Sequence, residues 1–194
     1  MTADLELRWS SLLVRHASAG KSSAWPGADR DRPLDDLGRA QAAALVPVLE
    51  AHGVVRLVSA DLRRCIDTLA VYAATRRIVT EREDLLSEAG YVADPELALE
   101  WVLGLIDPAK PVAVCSQGQV LPDLVRRMCG AYDAPAPSDT SIRKGCYWVV
   151  RFAQSGTRPR LVGLELFDPL GQPAAKSRRS RREGGAMTAR AAGG

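Results

Sequence analysis

The apolar positions of this 194-residue chain divide into short solid runs and longer stretches of helical period. Ser11-Leu12-Leu13-Val14-Arg15-His16 is such a run and breaks off in charge, as a buried strand does where it opens into a loop. Residues 17–33 are aperiodic and rich in Gly, Ser, Asp and Pro, which predicts a long loop of a length that is usually functional or disordered. Asp36-Leu37-Gly38-Arg39-Ala40-Gln41 then opens an alanine-rich helix with Leu45 and Leu49 on one face; Gly53 suits the left-handed position that ends it. Residues 56–59 predict a second strand, 62–74 a second helix and 77–80 a third strand. Residues 95–106 read as a helix with proline in its first turn. Residues 111–115 are the most strand-like segment, 119–129 form a further helix, and strands over 145–152 and 160–166 are spaced to make a hairpin.

Strands alternating with helices predict an α/β fold: a three-layer α/β/α sandwich on a mostly parallel sheet with an antiparallel late strand. The domain is expected over residues 8–167, followed by a disordered basic tail over 168–194, where Gly, Pro, Ser, Arg and Ala take over. A composition of 46% hydrophobic and 25% charged residues agrees with one globular domain. No apolar run approaches the ~20 residues that cross a bilayer. The first ten residues carry Asp4, Glu6 and Arg8 instead of a basic, apolar leader. A cytoplasmic protein without a membrane partner is therefore expected.

The net charge of +3 is unevenly spread, with +5 on residues 176–194 and −2 on the rest. Nucleic-acid-binding domains place basic surface on the fold itself, so nucleic acid is not an expected partner. Cys65, Cys115, Cys129 and Cys146 form no CxxC pair, and no histidine stands at zinc-ligand spacing from them. They read as small buried hydrophobes, and neither a metal nor a cofactor is expected.

Ligands of such sheets bind at the carboxyl ends of the strands. Three ends carry polar groups: Arg15-His16, Ser59 leading to Arg64, and Ser116-Gln117-Gly118. Only His16 and His52 are available for histidine chemistry. His52 adjoins Gly53 at a helix end, a structural place where imidazole meets the helix dipole. His16 follows an arginine and faces a polar loop.

The segments Leu13-Val14-Arg15-His16-Ala17, Pro33-Leu34 through Gly38-Arg39-Ala40-Gln41-Ala42, and Ser59-Ala60-Asp61-Leu62-Arg63-Arg64-Cys65-Ile66-Asp67-Thr68 stand in a telling order. With Leu86-Ser87-Glu88 and residues 112–121, they resemble the successive motifs of the histidine phosphatase superfamily. Those motifs are Arg-His-Gly/Ala, Pro-Leu-Thr-x-x-Gly-x-x-Gln, Ser-x-Pro-x-x-Arg-x-x-x-Thr, Leu-x-Glu and a fourth-strand Ser-His-Gly. The resemblance covers about residues 11–152. The Arg-His-Ala variant and the short chain are most similar to the SixA-like branch, and to the phosphatase-type domain fused behind a Nudix domain in some bacterial enzymes.

The resemblance implies a metal-independent phosphatase working through phosphohistidine, on protein phosphohistidine or on a small phosphate such as a nucleotide. The residue types suit that chemistry. A transferred phosphoryl group needs a nucleophile and cations around its oxygens. Neutral imidazole is a nucleophile that forms a phosphoramidate, and arginine offers planar, permanently charged forks. His16 is the expected nucleophile, Arg15 and Arg64 the clamp, and Glu88 the carboxyl group that protonates the leaving alkoxide.

Gln117 stands where the family has its second histidine. It keeps an amide donor but carries no charge, so Gln117→His should restore a charge-assisted bond. The alternative is a catalytically impaired phosphate-binding or interaction module serving a Nudix hydrolase. Arg39, Lys21 with Arg30 and Arg32 in the long loop, and Lys144 beside Arg143 are further candidate substrate contacts. Residues 82–90 superficially resemble a Nudix helix, but the paired glutamates and the upstream Gly and Glu are missing. A Nudix domain or protein is thus expected only as a partner.

Overall fold

Leu12, Leu13 and Val14 are buried because their strand, β1 (Leu7–Arg15), has a neighbour on each side. The structure is a computed structural model that describes residues 7–154 and 159–171. The remaining strands are β2 (Arg56–Ser59), β3 (Thr80–Arg82), β4 (Val112–Ser116), β5 (Tyr147–Gln154) and β6 (Pro159–Phe167). They form one six-stranded sheet in the order β3-β2-β4-β1-β5-β6. The first four in that row are parallel; β5 runs antiparallel to β1, and β6 antiparallel to β5. All five residues of β4 are buried, as a strand covered on both faces requires.

Among the described residues, five helices connect the strands: α1 (Asp36–Ala51), α2 (Arg63–Arg76), α3 (Glu88–Ala93), α4 (Pro95–Leu103) and α5 (Leu121–Ala131). The chain steps outward from β1 through α1 to β2 and through α2 to β3. It then returns through α3 and α4 to β4. Right-handed crossovers place outward and returning helices on opposite faces of the sheet. Accordingly α1 packs on α2, while α4 packs on both α3 and α5. The α/β architecture read from the sequence is the observed one.

Several boundaries differ, each for a tertiary reason. β1 starts at Leu7 instead of Ser11 because β5 pairs along its whole length, with Trp9 opposite Phe152 and the two rings stacked at 5.6 Å. The third strand begins at Thr80, not Arg77: Arg77 takes the left-handed conformation (φ 55°) that closes α2. Gly53 does the same after α1, at φ 61°. The expected loop over 17–33 holds two short 3-10 turns, Ser22–Ala24 and Asp29–Asp31. Residues 168–171 form a turn, Gly171 N–H donating to the Asp168 carbonyl at 3.0 Å; the expected tail beyond them lies outside the described residues. All four cysteines are free and buried.

The reversal of winding direction falls between β1 and β4. Their carboxyl ends lie side by side, Arg15 opposite Ser116, and the His16 N–H donates to the Ser116 carbonyl at 3.0 Å. Such a switch point is where open α/β sheets leave a crevice. Because β5 runs the other way, it is its beginning, just after Lys144, that reaches this edge.

Candidate active site

His16 is the first residue past β1 and is only 5% exposed. Its ring Nδ1 lies 2.8 Å from the Ala17 carbonyl. A carbonyl only accepts, so Nδ1 carries the proton and Nε2 keeps its lone pair. Burial pushes the imidazole pKa down to about 3, against the bond to Ala17, and the nearby Arg64, Arg15 and Lys144 charges lower it further. The ring is therefore neutral across the physiological range.

Two arginines flank it, Arg64 buried and Arg15 half-buried. Arg15 donates Nη1 to the Ile142 carbonyl at 2.6 Å. Arg64 donates Nη1 to the Asp29 carbonyl at 2.8 Å and pairs through Nη2 with the Asp29 carboxylate at 3.1 Å. Each guanidinium is gripped at its far end, and in each the Nε is buried without a hydrogen-bond partner. Unsatisfied buried donors on permanent cations are costly unless an anion meets them. Arg64 owes its place to Thr68, one helical turn later, whose hydroxyl donates to the Arg64 carbonyl (2.6 Å) and accepts from Ala17 N–H (2.9 Å). The Arg-x-x-x-Thr spacing thus ties α2 to the loop beside His16.

Gln117 follows β4 and is buried; its Oε1 accepts from the Glu88 N–H at 2.7 Å. Glu88 opens α3, which Ser87 caps through a bond from Gly90 N–H, and the Glu88 residue is exposed. Arg64, Glu88 and Gln117 share a cleft of about 300 Å³ with Asp29, Asp61 and Ser87. A second hollow of about 330 Å³ is lined by Arg15, Ser18, Gln41, Arg143 and Lys144. The structure thus brings Arg15, His16, Arg64, Glu88, Gln117 and Lys144 to one edge of the sheet. Arg39 stays apart, exposed and engaged with the Leu34 carbonyl and Asp36. Lys21 lines a different hollow with Trp25 and Pro33. Arg30 pairs with Asp61 at 2.8 Å, and Arg32 is buried in loop contacts to Asp29 and the Ala19 and Gly20 carbonyls.

Four positions that the sequence reading did not single out shape this edge. Gly38 and Gln41 are scaffold: a Cβ at Gly38 would fall 1.9 Å from the Ser18 carbonyl oxygen. The Gln41 amide accepts from Ser18 N–H and donates to the Lys144 carbonyl, each at 2.9 Å. Gly118 lies so close to Arg15 that a Cβ there would sit 2.4 Å from its Cζ. Asp29 is the fourth. Gly38, Gln41 and Gly118 carried a visible signal, as members of motifs; Asp29 carried none.

Neutral burial of His16 has a measurable consequence. The unfolded chain protonates this histidine near pH 6.5 and the folded chain only near 3, so acid favours unfolding. Its stabilising effect is complete above pH 6.5 and is lost as pH falls toward 3. Between pH 8 and 5 the wild type should lose about 2 kcal/mol more stability than His16→Asn. Urea denaturation of both proteins at the two pH values checks this; equal losses would mean that the ring is already solvated or charged in the fold.

Fold and site together define an α/β protein with a buried histidine at its topological switch point, flanked by arginines that line two adjoining hollows. Residues 11–100 match the histidine phosphatase superfamily, branch 1, and the chain belongs to that superfamily. It is 39% identical over 159 residues to the 8-oxo-(d)GTP phosphatase of Mycolicibacterium smegmatis, covering 81% of this chain but 48% of that protein. The chain thus spans about half the length of this curated relative. A Nakamurella multipartitia structure named for the phosphohistidine phosphatase SixA is 25% identical, with a TM-score of 0.57 over 81% of this chain and 95% of that one. The mycobacterial glucosyl-3-phosphoglycerate phosphatase complexed with VO3 shares the fold at 18% identity, with a TM-score of 0.58 over 82% and 98%. Among the described residues, no helix is long and apolar enough to cross a membrane.

Proposed function

We propose that the chain hydrolyses phosphate monoesters through a phospho-His16 intermediate, with a nucleoside phosphate as the favoured substrate class. The observation that carries this reading is the neutral His16 ring, its Nδ1 proton committed to the Ala17 carbonyl, set between two arginines whose Nε donors are buried and unpaired. Nε2 attacks phosphorus and the ester P–O bond breaks. The leaving oxygen takes a proton from the Glu88 carboxyl at the rim of the cleft. Water, giving a proton to the same carboxylate, then attacks phosphorus; the P–N bond breaks, releasing phosphate and restoring the neutral ring. Arg15 and Arg64 hold the equatorial oxygens throughout.

The 39% identity to a protein named for a nucleotide substrate favours a nucleotide, and the resemblance to Nudix-fused phosphatase domains makes a Nudix-type hydrolase the partner domain or protein to test. A substrate panel tests the choice: a nucleoside monophosphate should be turned over faster than a phosphohistidine peptide, and turnover should persist in excess chelator. Faster dephosphorylation of the peptide would reverse the assignment, and loss of activity on chelation would remove the metal-independent mechanism.

Gln117 favours the rival reading, a phosphate-binding module, because a neutral amide supports less developing charge than imidazolium does. The expectation that Gln117→His adds a charged donor is changed by the Glu88 N–H bond. Protonated imidazole has no acceptor, so a charged ring at position 117 would leave that N–H unpaired, at about 1–3 kcal/mol. A neutral ring keeps the bond and donates from its other nitrogen, much as the amide does. The kcat/KM of Gln117→His for a phosphomonoester should therefore stay within about threefold of wild type at pH 7, since the penalty cancels most of the charged bond. A gain above tenfold would show that the Glu88 N–H finds another acceptor.

A further inference from the structure

Asp29 lies 13 residues past His16 on a three-residue turn and touches two arginines at once. Its Oδ1 accepts from Arg32 Nε at 2.8 Å, and its Oδ2 lies 3.1 Å from Arg64 Nη2. Its backbone carbonyl accepts from Arg64 Nη1 at 2.8 Å. Backbone and side chain of one residue thus hold both terminal nitrogens of Arg64, while Nε on the other edge is buried and unpaired. Arg32 is itself fixed, 7% exposed, with Nη1 donating to the Ala19 and Gly20 carbonyls at 2.5 and 3.2 Å. Those carbonyls belong to the loop that begins at His16.

We propose that Asp29 is a positioning residue for phosphate binding: anchored by Arg32, it squares the Arg64 guanidinium so that its Nε edge faces the phosphoryl group held at His16. This rests on the reading of Arg64 as a phosphate ligand. A guanidinium presents two forks, an Nη–Nη end and an Nε–Nη side, and a bidentate grip on one leaves the other free for a second oxyanion. A long side chain reaching from α2 would otherwise lose rotamer freedom on every binding event. Arg15 is built alike, its Nη1 on the Ile142 carbonyl and its Nε unpaired. The two arginines thus leave corresponding edges unpaired, one steadied by a main-chain carbonyl and the other by Asp29. The bond from Arg32, above all, holds the Asp29 carboxyl below its ordinary pKa despite partial burial, so the brace stays ionised wherever the protein is folded and active.

The alternative role for the same contact is competition, with Asp29 occupying the place of a phosphate oxygen and leaving when substrate arrives. The two roles predict opposite signs. Inorganic phosphate is titrated against wild type, Asp29→Ala, Arg64→Ala and the double variant, followed by 31P NMR, which reads millimolar affinities; thermal melts accompany each. Asp29→Ala should weaken phosphate about tenfold in the wild-type background, the scale expected of a misaimed clamp, and should cost nothing further once Arg64 is gone. Tighter phosphate binding by Asp29→Ala overturns the proposal in favour of competition. Equal weakening in both backgrounds also overturns it, since the effect then does not pass through Arg64. If Arg64→Ala alone leaves phosphate affinity unchanged, the failure is of the underlying assignment of Arg64. Asp31→Asn removes a neighbouring charge from the same turn. An effect as large as that of Asp29→Ala would reduce the result to bulk electrostatics and overturn the proposal too.

Discussion

His16→Ala should turn over phosphate monoesters at less than about a thousandth of the wild-type rate, because it removes the one group able to accept the phosphoryl transiently. The variant is expected to fold: the main-chain bond from residue 16 to the Ser116 carbonyl is independent of the side chain, and a neutral buried ring leaves no charge behind. It should still bind inorganic phosphate, since Arg15 and Arg64 keep their anchors on Ile142 and Asp29. Rapid quench with a labelled substrate supplies the second readout. Acid-labile, base-stable phosphate should appear on the wild type during turnover and be absent from the variant. Undiminished turnover by His16→Ala would end the phosphohistidine mechanism, while loss of both turnover and phosphate binding would point to collapse of the site.

Gly118→Ala should lower kcat/KM about a hundredfold with little change in stability, which separates it from an ordinary core lesion. The added methyl would stand 2.4, 2.6 and 2.7 Å from Cζ, Nε and Nη2 of Arg15. The far end of a flexible side chain can move away at small cost to folding. Movement here, however, takes the guanidinium off the Ile142 carbonyl that anchors it beside His16. Displacement of a positioning group by about 1 Å is enough for an effect of this size. The loss should disappear in an Arg15→Ala background, where no guanidinium remains to be displaced. Steady-state kinetics and thermal melts of the four proteins decide it; a kcat/KM within threefold of wild type would mean that Arg15 does not need its observed pose.

Local signals carried much of the molecule. Solid apolar runs ending in polar residues located β1, β2 and β4, since a strand covered on both faces must be apolar throughout and its end is where polar groups can reach a ligand. Arg64 and Thr68 stood together only through the family motif; the helix then gives that spacing its reason, since residues four apart share a face. Gly53 was legible because a helix end with positive φ favours glycine. Less was visible where pairing partners are distant. The first four residues of β1 are strand only because β5, roughly 140 residues later, lies along them.

By itself, the order of residues determined the alternation of strands and helices, the family motifs and the identities of Arg15, His16, Arg64, Glu88 and Gln117 as the groups to consider. Chemical type and spacing along the chain are local properties, so no folding was needed to see them. Tertiary structure alone decided that β5 runs antiparallel and so delivers Lys144 to the hollow beside Arg15, and that Arg39 and Lys21 remain apart. It also set Asp29 against Arg64, Gly118 close under Arg15, and the Glu88 N–H on the amide oxygen of Gln117. The physical reason is common to these cases. Direction of approach, burial and hydrogen-bond competition depend on groups that the sheet brings together from distant parts of the chain, and no local pattern encodes them.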